Sequence, residues 1–215
     1  MKKVNFLLLL LVALSAPIFA NITNSRSEDR VIRYFDAGNP IEFDGKEYYL
    51  AWSSHPYDNY YLQEYLPKGE NFDSLTNMIT VAVLFYGDIK DVDAGKLVDA
   101  KISELEARKK TDKVCNYQLL ENGNEYLLDF IVSQSDGKGN LDCVELNLHH
   151  YKDIEIDGKR ANCLIFYSRR AYGDDILPFM KSIPAHRPQW IHSLTTLPIT
   201  PTFKPAPAPL NPNNQ

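Results

Sequence analysis

Apolar and polar residues alternate with period two along most of the chain from Met78 onward, and one long segment interrupts them with helical period. From Met78 to Tyr86, residues Ile79, Val81, Val83 and Phe85 share one parity, which predicts a strand with one apolar face. Asp88 to Lys110 then places Ala94, Val98, Ile102 and Leu105 at helical spacing. Acids at its start (Asp88, Asp91, Asp93) and bases at its end (Arg108, Lys109, Lys110) complement the helix dipole. Period two returns in four strands, over 114–120, 125–133, 141–151 and 161–170. Their links are short and rich in Gly, Asn and Asp, so consecutive strands pair antiparallel.

The N-terminal part predicts further strands. Val31 to Phe35 reads as one, and Asp44-Gly45 between β-prone runs marks a hairpin over 41–52. Pro56 makes 53–59 a loop, and the aromatic run 60–66 fits a strand or a helical turn. The phrase Ile-Glu-x-Asp-Gly-Lys occurs at 41–46 and again at 154–159, one turn solution used twice. A second, short helix spans Asp174 to Ile183, with Pro184 to Trp190 extended after it. The fold class is therefore α+β: an antiparallel sheet, a four-strand C-terminal meander plus N-terminal strands, packed by one long and one short helix. One domain covers residues 30–196. From Leu197 to Gln215 the chain is Pro- and Asn-rich without an apolar period, which predicts a disordered or polyproline tail.

Residues 1–20 form a different pattern. Lys2 and Lys3 precede the apolar run Phe6–Leu14, and small residues lead to Ala20. That order predicts a secretory signal peptide, followed by a loose polar stretch at 21–29. The run is shorter than the roughly 20 residues a membrane span requires. No Cys follows it to carry a lipid anchor. The expected location is the periplasm or the exterior, with no membrane span.

Charge narrows the partners. The formal net charge is −5 and becomes more negative once Lys2 and Lys3 leave with the leader. An acidic chain without a basic cluster repels phosphate backbones, so nucleic acid is excluded. Cys115, Cys143 and Cys163 are an odd set, which permits at most one internal disulfide, and none lies in a CxxC.

The run Glu125-Tyr126-Leu127-Leu128-Asp129-Phe130, the Asp157-Gly158-Lys159 turn with its following strand, and the helix closing on Phe179 to Ile183 resemble the PsbP, Mog1 and DcrB-like fold. The likeness covers roughly residues 78–183. Tyr61 to Glu70 is similar to a segment of small exported Gram-negative proteins of unknown function. These resemblances imply an accessory or binding role. The aromatic N-terminal part and the Pro-rich tail depart from the photosystem proteins, so their partner does not carry over.

Candidate chemistry is sparse. His149 and His150 are adjacent, so in a strand they point to opposite faces and do not chelate one metal. There is no HExxH, no Cys/His zinc spacing, no calcium loop, no GxSxG and no Gly-rich phosphate loop before a helix. No catalytic residue, metal or cofactor is assigned. Two groups are candidate binding residues. If strand register unites them, Asp129, Glu145, Asn147, His149 and Arg169 form one charged patch on a sheet face. Carboxylate beside imidazole there would do acid–base work or grip a polar ligand. The ordinary alternative is a solvated sheet face. Trp52, Tyr57, Tyr60, Tyr61 and Tyr65 are the second group, suited to protein or ligand contact, with sheet core as their ordinary alternative. The expected function is an exported, non-enzymatic accessory or binding protein of the cell envelope, contacting another envelope protein or a small ligand. The alternative is a small periplasmic hydrolase or lyase working around His149.

Overall fold

The computed structural model describes residues 31–136 and 138–203. The expected leader, the stretch 21–29 and the tail beyond Phe203 lie outside the described residues. Among these, the strands are β1 (Ile41–Phe43), β2 (Lys46–Tyr57), β3 (Tyr60–Pro67), β4 (Asn77–Phe85), β5 (Asn116–Asn122), β6 (Glu125–Ser135), β7 (Leu141–Ile156) and β8 (Lys159–Tyr172). The helices are α1 (Ala94–Arg108) and α2 (Ile176–Thr195). All neighbouring strands are antiparallel, in the order β1-β2-β3-β4-β8-β7-β6-β5.

This corrects the expected arrangement. The C-terminal meander is not a unit beside N-terminal strands: β4 pairs with β8 over nine register positions, making one eight-stranded sheet curled into a half-barrel. Nor do a long and a short helix pack it. α1 has 15 residues and α2 has 20. α2 runs through Pro184 and Pro188, where the sequence reading ends the helix and extends the chain. Each proline removes one helical hydrogen bond. Burial of Trp190 and Leu194 beyond them offsets that loss, because both enter the core under α2.

The helices lie on opposite sides of the sheet. Phe179, Ile183, Trp190 and Leu194 of α2 pack with Ile79, Val81, Val144, Leu146, Leu148, Ile165 and Tyr167. Leu97, Val98 and Leu105 of α1 pack with Ala82, Leu84, Leu128, Phe130, Val132 and Leu164. The odd positions of β4 and the even positions of β7 therefore face α2, and their neighbours face α1. Over the central strands β4, β7 and β8 neither sheet face is left to water, and polar residues buried there call for partners within the protein.

Local details follow from the sequence. Asp44 and Gly45, and again Asp157 and Gly158, take positive φ, so the repeated phrase does form the same turn twice. α1 starts six residues later than its acids suggest. Asp93 is its N-cap, with Oδ1 accepting from Lys96 N at 2.9 Å, while Asp153 on β7 accepts from Ala94 N at 3.1 Å. Residues 31–34 are not a strand, and residues 53–57 belong to β2 despite Pro56, which falls in a register break between Ser54 and Tyr57. Leu197 and Ile199 are buried in the α2-side core and Thr202 bridges Asp36, so the packed domain extends past the expected start of the tail. Cys115, Cys143 and Cys163 are free and buried. No helix among the described residues is long and apolar enough to cross a membrane.

Candidate functional site

Register decides what the polar residues of the meander do, and it does not unite them. Asp129 stands opposite Leu148, whereas Leu128 stands opposite His149 and Val132 opposite Glu145. Asp129 thus faces α2, while Glu145, Asn147 and His149 face α1. Arg169 stands opposite Leu146 and joins the α2 side. The expected single patch is two buried sets separated by the thickness of the sheet.

On the α2 side, Asp129 is 2% exposed and meets Arg187 Nε at 3.1 Å. Burial pushes its carboxyl up, and Arg187 opposes this. Arg169 lies over the rings of Trp190 (4.8 Å) and Phe179 (5.8 Å), a cation–π clamp on α2. On the α1 side, Glu145 is paired with Arg170, and Asn147 Oδ1 accepts from Ser168 Oγ at 2.9 Å. Burial raises the Glu145 carboxyl against the pull of Arg170. His149 stacks on Phe166 at 3.9 Å and meets Phe130 edge-on at 4.7 Å. Its polar neighbour is the Tyr151 hydroxyl, 3.3 Å from Nδ1. Burial, reinforced by the Lys101 ammonium, holds His149 well below the ordinary histidine value.

General acid–base work needs a titratable group within hydrogen-bond reach of the reacting atoms, and His149 is buried between Phe166 and Phe130. The Asp129 side of the sheet is turned away from His149, and Glu145 is committed to Arg170. His150 points to the α2 side, where Nε2 bonds Glu125 at 2.9 Å. Among the described residues no three of His, Cys, Asp and Glu are placed to share a metal ion. Burial pushes the Cys143 and Cys163 thiols up to about 12, far from a thiolate at neutral pH.

The aromatic segment divides in the same way. Tyr60 is buried on the α1 side and Tyr65 on the α2 side, where Gln63 Nε2 donates to its hydroxyl at 2.6 Å. Trp52 and Tyr57 are half-buried on β2. Of the five, Tyr61 lines a groove at one end of the sheet. The groove has a volume of about 280 Å³, is shared with Phe85 and Phe203, and lies between the tips of the β2–β3 and β7–β8 turns. Asp58, Asn59, Asp157 and Lys159 rim it. Tyr61 meets Phe203 edge-on at 4.9 Å and Phe85 at 6.1 Å, and its ring stacks on His55 at 4.0 Å. Asn59 is fixed by exchanging hydrogen bonds with the Phe85 backbone, both at 2.9 Å.

His55, Phe85 and Phe203 were not legible as partners of Tyr61. They come from β2, β4 and the segment that follows α2, and no local spacing links them. A second cavity of about 340 Å³ lies over Leu50, Leu66 and Pro67. Glu70 at its margin already accepts from the Thr76 and Asn77 backbone, at 2.7 and 3.1 Å, and serves to close its own loop. The smaller groove has convergent aromatic rings and a polar rim, the composition expected of a ligand site.

These features define an antiparallel α+β protein with a half-barrel sheet between two helices and an aromatic groove at one end. Residues 35–199 match the model of an uncharacterised protein family of Haemophilus type, and the chain belongs to that family of small Gram-negative proteins. No curated protein and no solved structure matches it.

Proposed function

We propose that this is an exported, non-enzymatic binding protein of the cell envelope that holds its ligand in the groove of Tyr61, Phe85 and Phe203. The observation that carries this reading is the convergence of three rings from β3, β4 and the segment after α2, with carboxylates, an amide and an ammonium around them. Such a site suits a small ligand, or a short stretch of a larger one, with a flat apolar face and a hydrogen-bonding edge. The volume lies near the lower end of small-molecule sites, roughly 300–1,000 Å³. Export rests on the charged and apolar order of residues 1–20. The likeness to PsbP, Mog1 and DcrB-like proteins remains one of sequence pattern and contributes no partner. A hydrolase or lyase around His149 draws no support from a buried imidazole held between Phe166 and Phe130.

Arrays of envelope glycans and short peptides, probed with purified protein, test the proposal. Binding by the wild type that is lost in Tyr61→Ala and Phe203→Ala, with melting temperature retained, is the expected result. Binding that survives both substitutions, or turnover of any arrayed substrate abolished by His149→Ala, overturns it.

A further inference from the structure

The groove of Tyr61, Phe85 and Phe203 presents mainly one sign of charge to whatever enters it. Its walls are aromatic rings. His55 covers one face of Tyr61 at 4.0 Å, and Phe85 and Phe203 stand steeply to that ring, at 85° and 72°. Ring faces carry negative charge density and attract cations. The rim sets two carboxylates, Asp58 and Asp157, against one ammonium, Lys159. Both aspartates are exposed, and each stands two residues before a strand, Asp58 before β3 and Asp157 before β8. β3 and β8 flank β4, so their starts lie about 10 Å apart, two strand spacings, with Phe85 of β4 between them. One carboxylate thus stands to either side of the rings.

These rim charges are unspent. Among the described residues no hydrogen bond or ion pair engages the side chains of Asp58, Asp157 or Lys159. Arg160, in the same hairpin as Asp157, is committed elsewhere: its Nη2 donates to Val92 O at 2.9 Å and its guanidinium lies 5.3 Å from the Tyr86 ring centroid. Both turn tips are fixed. Asn59 exchanges hydrogen bonds with the Phe85 backbone, and Asp157 takes a φ of 49° in its tight turn. The acceptors are therefore in place before a ligand arrives, which lowers the cost of binding.

We infer that the groove takes a guanidinium, the arginine side chain of a peptide or protein segment; this rests on the reading of the groove as the binding site. A guanidinium is flat and weakly hydrated, stacks on aromatic rings and carries its donors along its edge. Laid against the rings, it directs those donors to Asp58 on one side and Asp157 on the other. A lysine ammonium is a strongly hydrated point charge with no stacking face. A groove of about 280 Å³ holds one side chain and not a folded partner, and a peptide backbone can cross between the two turn tips. Lys159 opposes the incoming charge, so removing it tightens binding.

Isothermal titration calorimetry of the purified full chain with acetyl-Gly-Arg-Gly-amide, and with its lysine and citrulline counterparts, tests the inference. Citrulline keeps the flat shape and lacks the charge. The arginine peptide is expected to bind about threefold more tightly than the lysine peptide and about tenfold more tightly than the citrulline peptide. Asp58→Asn combined with Asp157→Asn weakens arginine binding about fivefold, and Lys159→Met tightens it about twofold. These are exposed turn positions, and Asn tolerates the positive φ of Asp157, so the melting temperature is kept. Equal binding of the arginine and citrulline peptides overturns the inference, as does weaker binding by Lys159→Met or an unchanged affinity in the paired Asn variant. Agmatine that binds more tightly than the peptide overturns the peptide source. A neutral glycan or peptide that binds, is lost in Tyr61→Ala and is not displaced by the arginine peptide overturns the guanidinium and leaves the binding role of the groove intact. Loss of every Tyr61-dependent ligand overturns both.

Discussion

Replacing His149 with Phe removes a pH dependence and leaves the packing nearly unchanged. The imidazole is 7% exposed, stacked on Phe166 at 3.9 Å and set edge-on to Phe130 at 4.7 Å, positions a phenyl ring fills as well. Burial first, then the Lys101 ammonium, disfavours the protonated form, so the folded state refuses a proton that the unfolded chain accepts near pH 6.5. The sign follows from linkage. Stability is full above the unfolded value and falls as pH drops below it, by about 1.4 kcal/mol per pH unit, until the folded value is reached. Wild type should therefore lose about 1 kcal/mol more than His149→Phe between about pH 7 and pH 5.5. His150, also lowered by burial but opposed by Glu125, adds a dependence of the same sign in both proteins and cancels in the comparison. The variant orphans the Tyr151 hydroxyl, a constant penalty that shifts the intercept and not the slope. Urea denaturation at a series of pH values measures both. An unchanged slope in His149→Phe would refute the burial argument, and an imidazole that titrates near 6.5 by NMR in the folded protein would do so directly.

Two further substitutions test how the two helices are held to the sheet. Asp112 accepts from Ser133 N at 2.7 Å, Ser133 Oγ at 2.6 Å, Val114 N at 3.0 Å and Arg108 Nε at 3.0 Å, tying the end of α1 to β6. Burial alone would raise its carboxyl, but these donors outweigh it and lower it, so the stabilisation is present above about pH 4 and is lost as pH falls below that. Asp112→Ala should cost about 3 kcal/mol at neutral pH by thermal melting, and a loss under about 0.5 kcal/mol would count against the hub. Trp190→Phe removes the indole N–H bond to Asp44 Oδ2 at 2.9 Å and part of the clamp by Arg169, and should cost about 2 kcal/mol in urea. An unchanged midpoint would mean that the distal half of α2 is not held by these contacts.

The turns, the strand sequence of the meander and the existence of α1 were legible because each depends on residues close together in the chain. Asp44-Gly45 and Asp157-Gly158 need positive φ, and the sequence supplies the residues that tolerate it. What was not legible depends on the third dimension. Parity within β6 and β7 is plain, yet nothing local says that Leu128, and not Asp129, stands opposite His149. The extent of α2 was misread because proline chemistry is local, whereas the burial of Trp190 and Leu194 that outweighs it is tertiary. The groove was found by one residue in five. Tyr61 shares it with Phe85 and Phe203, which β4 and the segment after α2 deliver.

The buried polar residues on the two faces, which alternation assigns to solvent, have a structural consequence for that groove. Apolar side chains of similar volume would fill the α1 side equally well and would tolerate several alignments of β7 against β8. Glu145 with Arg170 and the Asn147 oxygen with Ser168 are paired only when those residues stand directly opposite, as they do here. A slip of one residue would strand both pairs at once, and would turn the apolar residues facing α2 toward α1. An unpaired buried charge costs several kcal/mol, so the slipped alignment is excluded by more than a typical contact provides. The register that results also fixes where the β7–β8 hairpin ends. It sets Asp157 and Lys159 beside Tyr61 and Phe85. The polar groups buried under α1 therefore act at a distance on the groove, through strand alignment and without touching a ligand.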